Sequence, residues 1–259
     1  DFAPAFAHYR HVFSSAISKI TAPFAGRPKG LTNELKFVGH PALAADAIGL
    51  LAATCLPDPL YPVGYIHSIY FDTLLRDFWA AKKEGDHLKQ KVRIRWYGTD
   101  GPPQNAEIPA FIEVKNRIGS ARDKSRIKIS APAPWIQDVP LEDPSVTAFL
   151  YQHAPKLMEP IPMSLVPVIC ISYARRRYVC PLTGSRIALD TQIRAERLNA
   201  TQFPAIHHVQ VEQIVCEFKN QGKTLPDWVE QLYSLGLRLR SFSKFGECMN
   251  QILHGGIPV

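Results

Sequence analysis

Phe111-Ile112-Glu113-Val114-Lys115-Asn116-Arg117 is the stretch on which the reading of this chain turns. Ile112 and Val114 alternate with Glu113, Lys115 and Arg117. A strand here sets two aliphatics on one face and three charges on the other. The same alternation recurs in Thr32-Asn33-Glu34-Leu35-Lys36-Phe37-Val38 and in Lys91-Val92-Arg93-Ile94-Arg95-Trp96-Tyr97. It returns around Ile169, Ile171, Tyr173, Arg175 and Arg177, and again where Glu217 and Lys219 face away from Ile214, Cys216 and Phe218. Taken singly, each segment fits the solvated face of an antiparallel sheet. Taken together, their apolar faces need cover and their charged faces are biased to Lys and Arg. The pattern predicts charged faces turned toward one another around a shared basic cavity.

The segments between these strands set the fold class. Residues 2–20 carry aromatics and aliphatics at helical spacing and read as a helix. A Gly-Arg-Pro-Lys-Gly loop follows at 26–30, so 1–30 reads as an N-terminal helix and loop before a single domain over 31–255. Helices are expected over 42–55, from Asp72-Thr73 to about Lys89, over 145–157 and from Pro226 to Gly236. Ser120 to Ile129, with Arg122, Lys124, Arg126 and Lys128 at alternate positions, reads either as a third basic strand or as a basic loop. Residues 132–144 are Pro-rich and read as irregular, and Arg186-Ile-Ala-Leu-Asp190 reads as a hairpin return. Antiparallel strands with helices inserted between hairpins make an α+β fold.

Composition narrows the chemistry. With 259 residues and 46% hydrophobic content, the chain is long enough for a sizeable core. Its 30 Lys and Arg against 23 Asp and Glu give a net charge of +7, which points to an anionic partner. The five cysteines are widely spaced with no CxxC pair, which suits reduced core thiols and a cytoplasmic chain. No apolar run reaches the roughly 18 residues of a membrane span, and no charged start followed by an apolar core predicts a signal peptide. GxxxxGK[ST], GxGxxG after a strand, GxSxG and HExxH are all missing from the sequence. No aromatic platform interleaves with the basic residues, so nucleic acid is not the expected partner.

If the strands close into a barrel, the charges line its lumen. Crowded ammonium and guanidinium groups repel one another and are costly to desolvate, so such a lumen is favourable around a polyanion. Arg supplies bidentate donors to phosphate oxygens and Lys supplies point charges. A few carboxylates among them can hold a hard divalent cation that bridges phosphate oxygens.

The combination Glu34-Leu-Lys36, Ser68-Ile-Tyr-Phe-Asp72, Lys91-Val-Arg93-Ile-Arg95, Glu113-Val-Lys115-Asn-Arg117, Tyr173-Ala-Arg175, Arg186-Ile-Ala-Leu-Asp190, Glu217-Phe-Lys219 and Ser241-Phe-Ser243-Lys244 resembles the VTC domain. That is the polyphosphate polymerase branch of the triphosphate tunnel metalloenzymes, which also include CYTH phosphatases. The resemblance runs from about residue 31 to 250. It implies an antiparallel β-barrel tunnel with a charged lumen and surrounding helices, acting with Mn2+ or Mg2+ on ATP and polyphosphate or pyrophosphate and releasing ADP. Carried over by position, Lys36, Arg93, Arg95, Arg175 and Arg186 would be catalytic, with Lys36 near the transferred group. Lys115, Arg117, Lys124, Lys219, Ser243 and Lys244 would bind substrate, and Glu217 and Glu34 the metal. Glu113 is either a further acidic contact or an internal partner holding basic side chains apart. The ExExK pattern of the CYTH branch would need Glu where this chain has Thr32, and fewer carboxylates suit a polymerase better than a two-metal hydrolase. A triphosphatase in the same tunnel and a non-catalytic polyphosphate-binding module are the rival expectations.

Overall fold

The alternation read from the sequence becomes a single curled sheet in the computed structural model, which describes residues 33–83, 88–98, 106–118, 121–206, 208–220 and 225–255. Its strands are β1 (Asn33–Gly39), β2 (Leu56–Pro57), β3 (Val63–Thr73), β4 (Leu88–Gly98), β5 (Glu107–Ile118) and β6 (Ala121–Pro132), then β7 (Leu165–Val179), β8 (Arg186–Leu198), β9 (Val209–Gln210), β10 (Ile214–Asn220) and β11 (Arg238–Leu239). Hydrogen bonding runs β11-β1-β10-β8-β7-β3-β4-β5-β6, with β2 on β7 and β9 on β8. All the pairings are antiparallel. Among the described residues the path is not closed by a ladder. Curl brings its halves together instead, and Lys115 of β5 senses the charges of Glu34 on β1 and Lys219 on β10.

Helices α1 (Ala44–Thr54), α2 (Asp77–Lys83), α3 (Ala133–Asp138), α4 (Pro144–His153), α5 (Glu230–Ser234) and α6 (Lys244–His254) complete the fold. They seal three cores that follow from strand parity. Val92, Ile94, Trp96, Ile112 and Val114 form one outer core with Ile136 of α3 and Val146 and Leu150 of α4. Phe37, Ile187, Leu189, Cys216 and Phe218 form the other with Ala47 and Leu51 of α1 and Leu232 of α5. The third lies on the inner face, where Val38, Ile66, Tyr70, Ile169, Ile171 and Val215 receive Phe245, Cys248, Met249 and Ile252 of α6. One end of the lumen is therefore filled by a helix.

Several sequence expectations change. The segment read as strand or loop over 120–129 is a strand from Ala121 on, matched residue for residue to β5 through Glu113↔Arg126 and Lys115↔Lys124. The helix expected from Asp72-Thr73 to about Lys89 begins at Asp77 and is described to Lys83, and Leu88 and Lys89 already belong to β4. Asp72 stays on β3, fully buried, and its carboxylate accepts from the N–H groups of Thr73, Phe78 and Trp79. Arg76, at φ 63°, turns the chain between strand and helix. A short helix interrupts the irregular stretch after Pro132, with a proline in its first turn, where the missing N–H costs no helical bond. The return from Arg186 runs on to Leu198, and the last long strand divides into β9 and β10. All five cysteines are buried free thiols. The helix and loop read over 1–30, and Thr32, lie outside the described residues.

Candidate functional site

Even-numbered positions of β1, β3 and β6 and odd-numbered positions of β4, β5 and β10 face inward, so the charges alternate with core residues along each strand. Three carboxylate centres organise them. Glu113, 2% exposed, takes the Arg93 Nε–H at 2.8 Å and lies 3.1 Å from Lys124, 3.3 Å from Arg126 and 3.9 Å from Arg95. Arg93 also donates to the Tyr70 hydroxyl at 2.9 Å, and Arg95 donates to Ser68 at 3.0 Å. Burial alone would raise the Glu113 carboxyl. Arg93, Arg95 and Lys124 override burial and hold it well below the usual carboxylate range.

Asp190 is the second centre. Fully buried, it accepts the Arg175 guanidinium through both oxygens and the Lys244 ammonium through Oδ2. Burial opposes its charge, and Arg175 and Lys244 prevail to keep it ionised. Lys244 also sits 4.4 Å over the Tyr173 ring. It opens α6, where the helix dipole disfavours a cation, so Asp190 holds it against that field. Ser243 caps this helix by accepting from Gly246 N at 3.2 Å, and its hydroxyl also accepts from Lys91 at 3.0 Å.

The third centre is a quartet on the β1–β10 ladder. Glu34 lies opposite Lys219 and Lys36 opposite Glu217. The contacts within strands are Lys36–Glu34 at 3.1 Å and Lys219–Glu217 at 3.0 Å. Lys36 also donates to the Phe242 carbonyl at 3.0 Å, tying β1 to the segment before α6. Burial and the charge of Glu34's neighbour Glu217 both oppose ionisation of Glu34, and Lys36 with Lys219 lowers its pKa regardless. Glu217 is held far below the usual range against burial by Lys219, Arg175, Lys36 and Lys244.

Two ionised, hard-oxygen side chains at diagonal positions of one ladder, close enough for Glu217 to oppose the charge of Glu34, fit a divalent cation whose remaining ligands are phosphate oxygens and water. No cluster of three or more His, Cys, Asp or Glu occurs among the described residues, so protein alone would not complete the shell.

Lys115 lies between the first and third centres. Desolvation by the surrounding protein, then Arg93, pushes its ammonium down to about 8. Yet its side chain is open to solvent, as are those of Lys124 and Lys219. Both hold if the lumen contains water while protein surrounds it. The cavity of ≈ 230 Å³ bounded by Leu141, Glu196 and Phe203 contains none of these lumen residues.

Of the residues expected from sequence, Lys36, Arg93, Arg95, Lys115, Lys124, Arg175, Lys219, Ser243, Lys244, Glu34 and Glu217 converge on this face. Arg186 is exposed at its edge, paired in register with Lys219. The backbone of Arg117 continues β5, while its side chain lies outside the described set. Sequence reasoning gave no site role to Asp190, Tyr70, Ser68, Tyr173, Lys91 or Arg126, although the first five stand in the motifs that carry the resemblance and Arg126 in the basic alternation. Strand parity carried a signal for Lys91 and Arg126, which alternate with core residues as their neighbours do. Asp190 left a fainter one, an acid ending the apolar run Ile187-Ala188-Leu189.

The VTC domain profile matches residues 63–253. The chain belongs to the VTC domain family. The match begins at β3, so β1 with Glu34 and Lys36 precedes it. No curated protein sequence matches the chain. Among solved structures, a Hippeastrum protein described as a candidate adenylyl cyclase with a dominant triphosphatase activity aligns at 14% identity and TM-score 0.49, over 85% of this chain and 96% of that one. A candidate adenylate cyclase from Vibrio parahaemolyticus aligns at 13% identity and TM-score 0.40, over 87% and 99%. One from Bacillus halodurans aligns at 14% and 0.42, over 89% and 94%.

Proposed function

We propose that the lumen of this VTC domain moves the terminal phosphate of ATP onto a polyphosphate chain and releases ADP. The observation that carries the reading is the imbalance of charge on a water-open inner face. Lys36, Lys91, Arg93, Arg95, Lys115, Lys124, Arg126, Arg175, Lys219 and Lys244 share it with Glu34, Glu113, Asp190 and Glu217. An incoming polyanion supplies the missing negative charge.

The guanidinium groups of Arg93, Arg95 and Arg175 are pre-oriented by Glu113, Ser68 and Asp190, so little reorganisation is needed when phosphate oxygens arrive. Lys36 and Lys244 place ammonium groups near the opening of α6, where Ser243 adds a hydroxyl. The chain's terminal phosphate oxygen attacks the γ-phosphorus, the bond to the β-phosphate oxygen breaks, and ADP departs with that electron pair. Arg and Lys spread the charge on the equatorial oxygens, so catalysis is positioning and electrostatics. A Mn2+ or Mg2+ ion held by Glu217 and Glu34 would neutralise phosphate oxygens. Because α6 fills one end, substrate and product use the charged opening.

A triphosphatase reading has its own support, since the same wet lumen offers water as acceptor. The two separate by product analysis after incubation of the purified protein with ATP and Mn2+. Polyphosphate with ADP supports the polymerase; orthophosphate without polymer supports the triphosphatase. Glu217→Gln is expected to retain chain binding and lose turnover. Chain binding with no turnover in the parent protein would mark a binding module instead.

A further inference from the structure

Tyr97 ends the charged face of β4, on the same side as Lys91, Arg93 and Arg95. Lys91 meets Ser243 at the start of α6, and Tyr97 lies six residues on, about 20 Å along a strand and away from the plug. Tyr97 is 43% exposed, although tyrosine on an inward face with Ile66 beside it could have been buried. Phe111 braces it edge-on, with centroids 5.9 Å apart and planes at 75°. The other partner of Phe111 is the Arg126 guanidinium, stacked 3.7 Å from its centroid.

The surroundings are open. A side chain at Gly64 would meet only the Arg177 guanidinium, at 3.7 Å. Lys128, directly across from Phe111, lines a cavity of ≈ 440 Å³ with Glu107, Pro109 and Ser130. There the Glu107 carboxylate accepts from the Ser130 hydroxyl at 2.6 Å and keeps lone pairs for another donor.

We propose that this mouth is a nucleobase platform, with Tyr97 as the stacking face and Arg126, flattened on Phe111, as a second planar surface. It rests on the phosphoryl-transfer reading of the lumen and adds to the ATP donor named there the side chains that hold its nucleoside end. The triphosphate enters toward Arg93 and Arg95 while the base stays at the mouth. Glu107 faces the ribose hydroxyls or the exocyclic amine. Stacking of this kind tolerates different bases, because every base has a π-face.

Calorimetric binding of a non-hydrolysable ATP analogue and of inorganic tripolyphosphate tests it. Tyr97→Ala should weaken the analogue about ten-fold and leave tripolyphosphate within about two-fold, the loss expected from one stacked base. Tyr97→Phe should restore the analogue, because the ring face returns without the hydroxyl. Equal losses for both ligands, or no loss for the analogue, overturn the platform. A parent protein that binds tripolyphosphate and not the analogue overturns it while leaving the phosphate lumen standing. A parent that binds neither ligand overturns the lumen reading first and the platform with it.

Discussion

Lys115 shows what the lumen asks of a single residue. Protein around it and the positive charge of Arg93 push its ammonium down to about 8, against 10.5 for an ordinary lysine. In the unliganded fold this is an electrostatic penalty, present in full below pH 8 and relieved as pH rises toward 10.5, where the unfolded chain holds more protons than the folded one. A phosphate chain favours the ammonium and raises the same pKa. Binding of tripolyphosphate should therefore take up a proton between about pH 8 and 10.5 and weaken as pH rises through that window. Calorimetry in buffers of different ionisation heat measures the uptake. Lys115→Met should abolish it, and unchanged uptake in that variant would assign the proton elsewhere.

At the scale of elements, β4, β5 and β6 form one electrostatic unit through Glu113. Arg93 and Arg95 come from β4, and Lys124 and Arg126 from β6. Glu113→Gln leaves those cations crowded without their counter-charge. It should cost about 3 kcal/mol of stability, the scale for breaking a buried ion pair. Because the lost negative charge is what a polyanion brings, saturating tripolyphosphate should recover most of the fall in melting temperature. Scanning calorimetry with and without ligand decides the matter.

Helix α6 is the other element under tension. Its cap makes two bonds through one hydroxyl, the Ser243 Oγ accepting from the Gly246 N–H and from the Lys91 ammonium. Ser243→Ala should cost about 1 kcal/mol from the cap. It should also weaken phosphate binding at the plugged end, which urea unfolding and binding titrations measure separately.

For the whole molecule, the surplus of positive charge predicts salt sensitivity. Raising monovalent salt from about 0.05 to 0.5 M should weaken tripolyphosphate binding at least ten-fold, since screening shortens the reach of every cation on the face. Removing divalent metal should stop turnover yet leave the melting temperature unchanged. Lys36 and Lys219 already neutralise Glu34 and Glu217 without it. A large fall in melting temperature on chelation would show instead that these carboxylates need the ion to fold. No helix among the described residues is long and apolar enough to cross a membrane.

Strand parity was legible in the sequence because its period of two leaves a mark in every inward-facing strand. Val92, Ile94 and Trp96 had to be covered, so Lys91, Arg93 and Arg95 had to face the other way. Glu113 was ambiguous there, since a carboxylate among cations can hold a metal or organise the cations. Its contacts with Arg93 and Lys124 assign it the second role here. What the chain alone could not tell was which distant groups meet. Asp190 lies 54 residues from Lys244, and Glu34 lies 183 from Glu217, so the first pair exists only because α6 packs into the curled sheet and the second only because β1 pairs with β10. The plug was hidden for a related reason. Phe245, Met249 and Ile252 read as any amphipathic helix face, and that pattern cannot say whether the apolar surface it covers lies outside a barrel or within it.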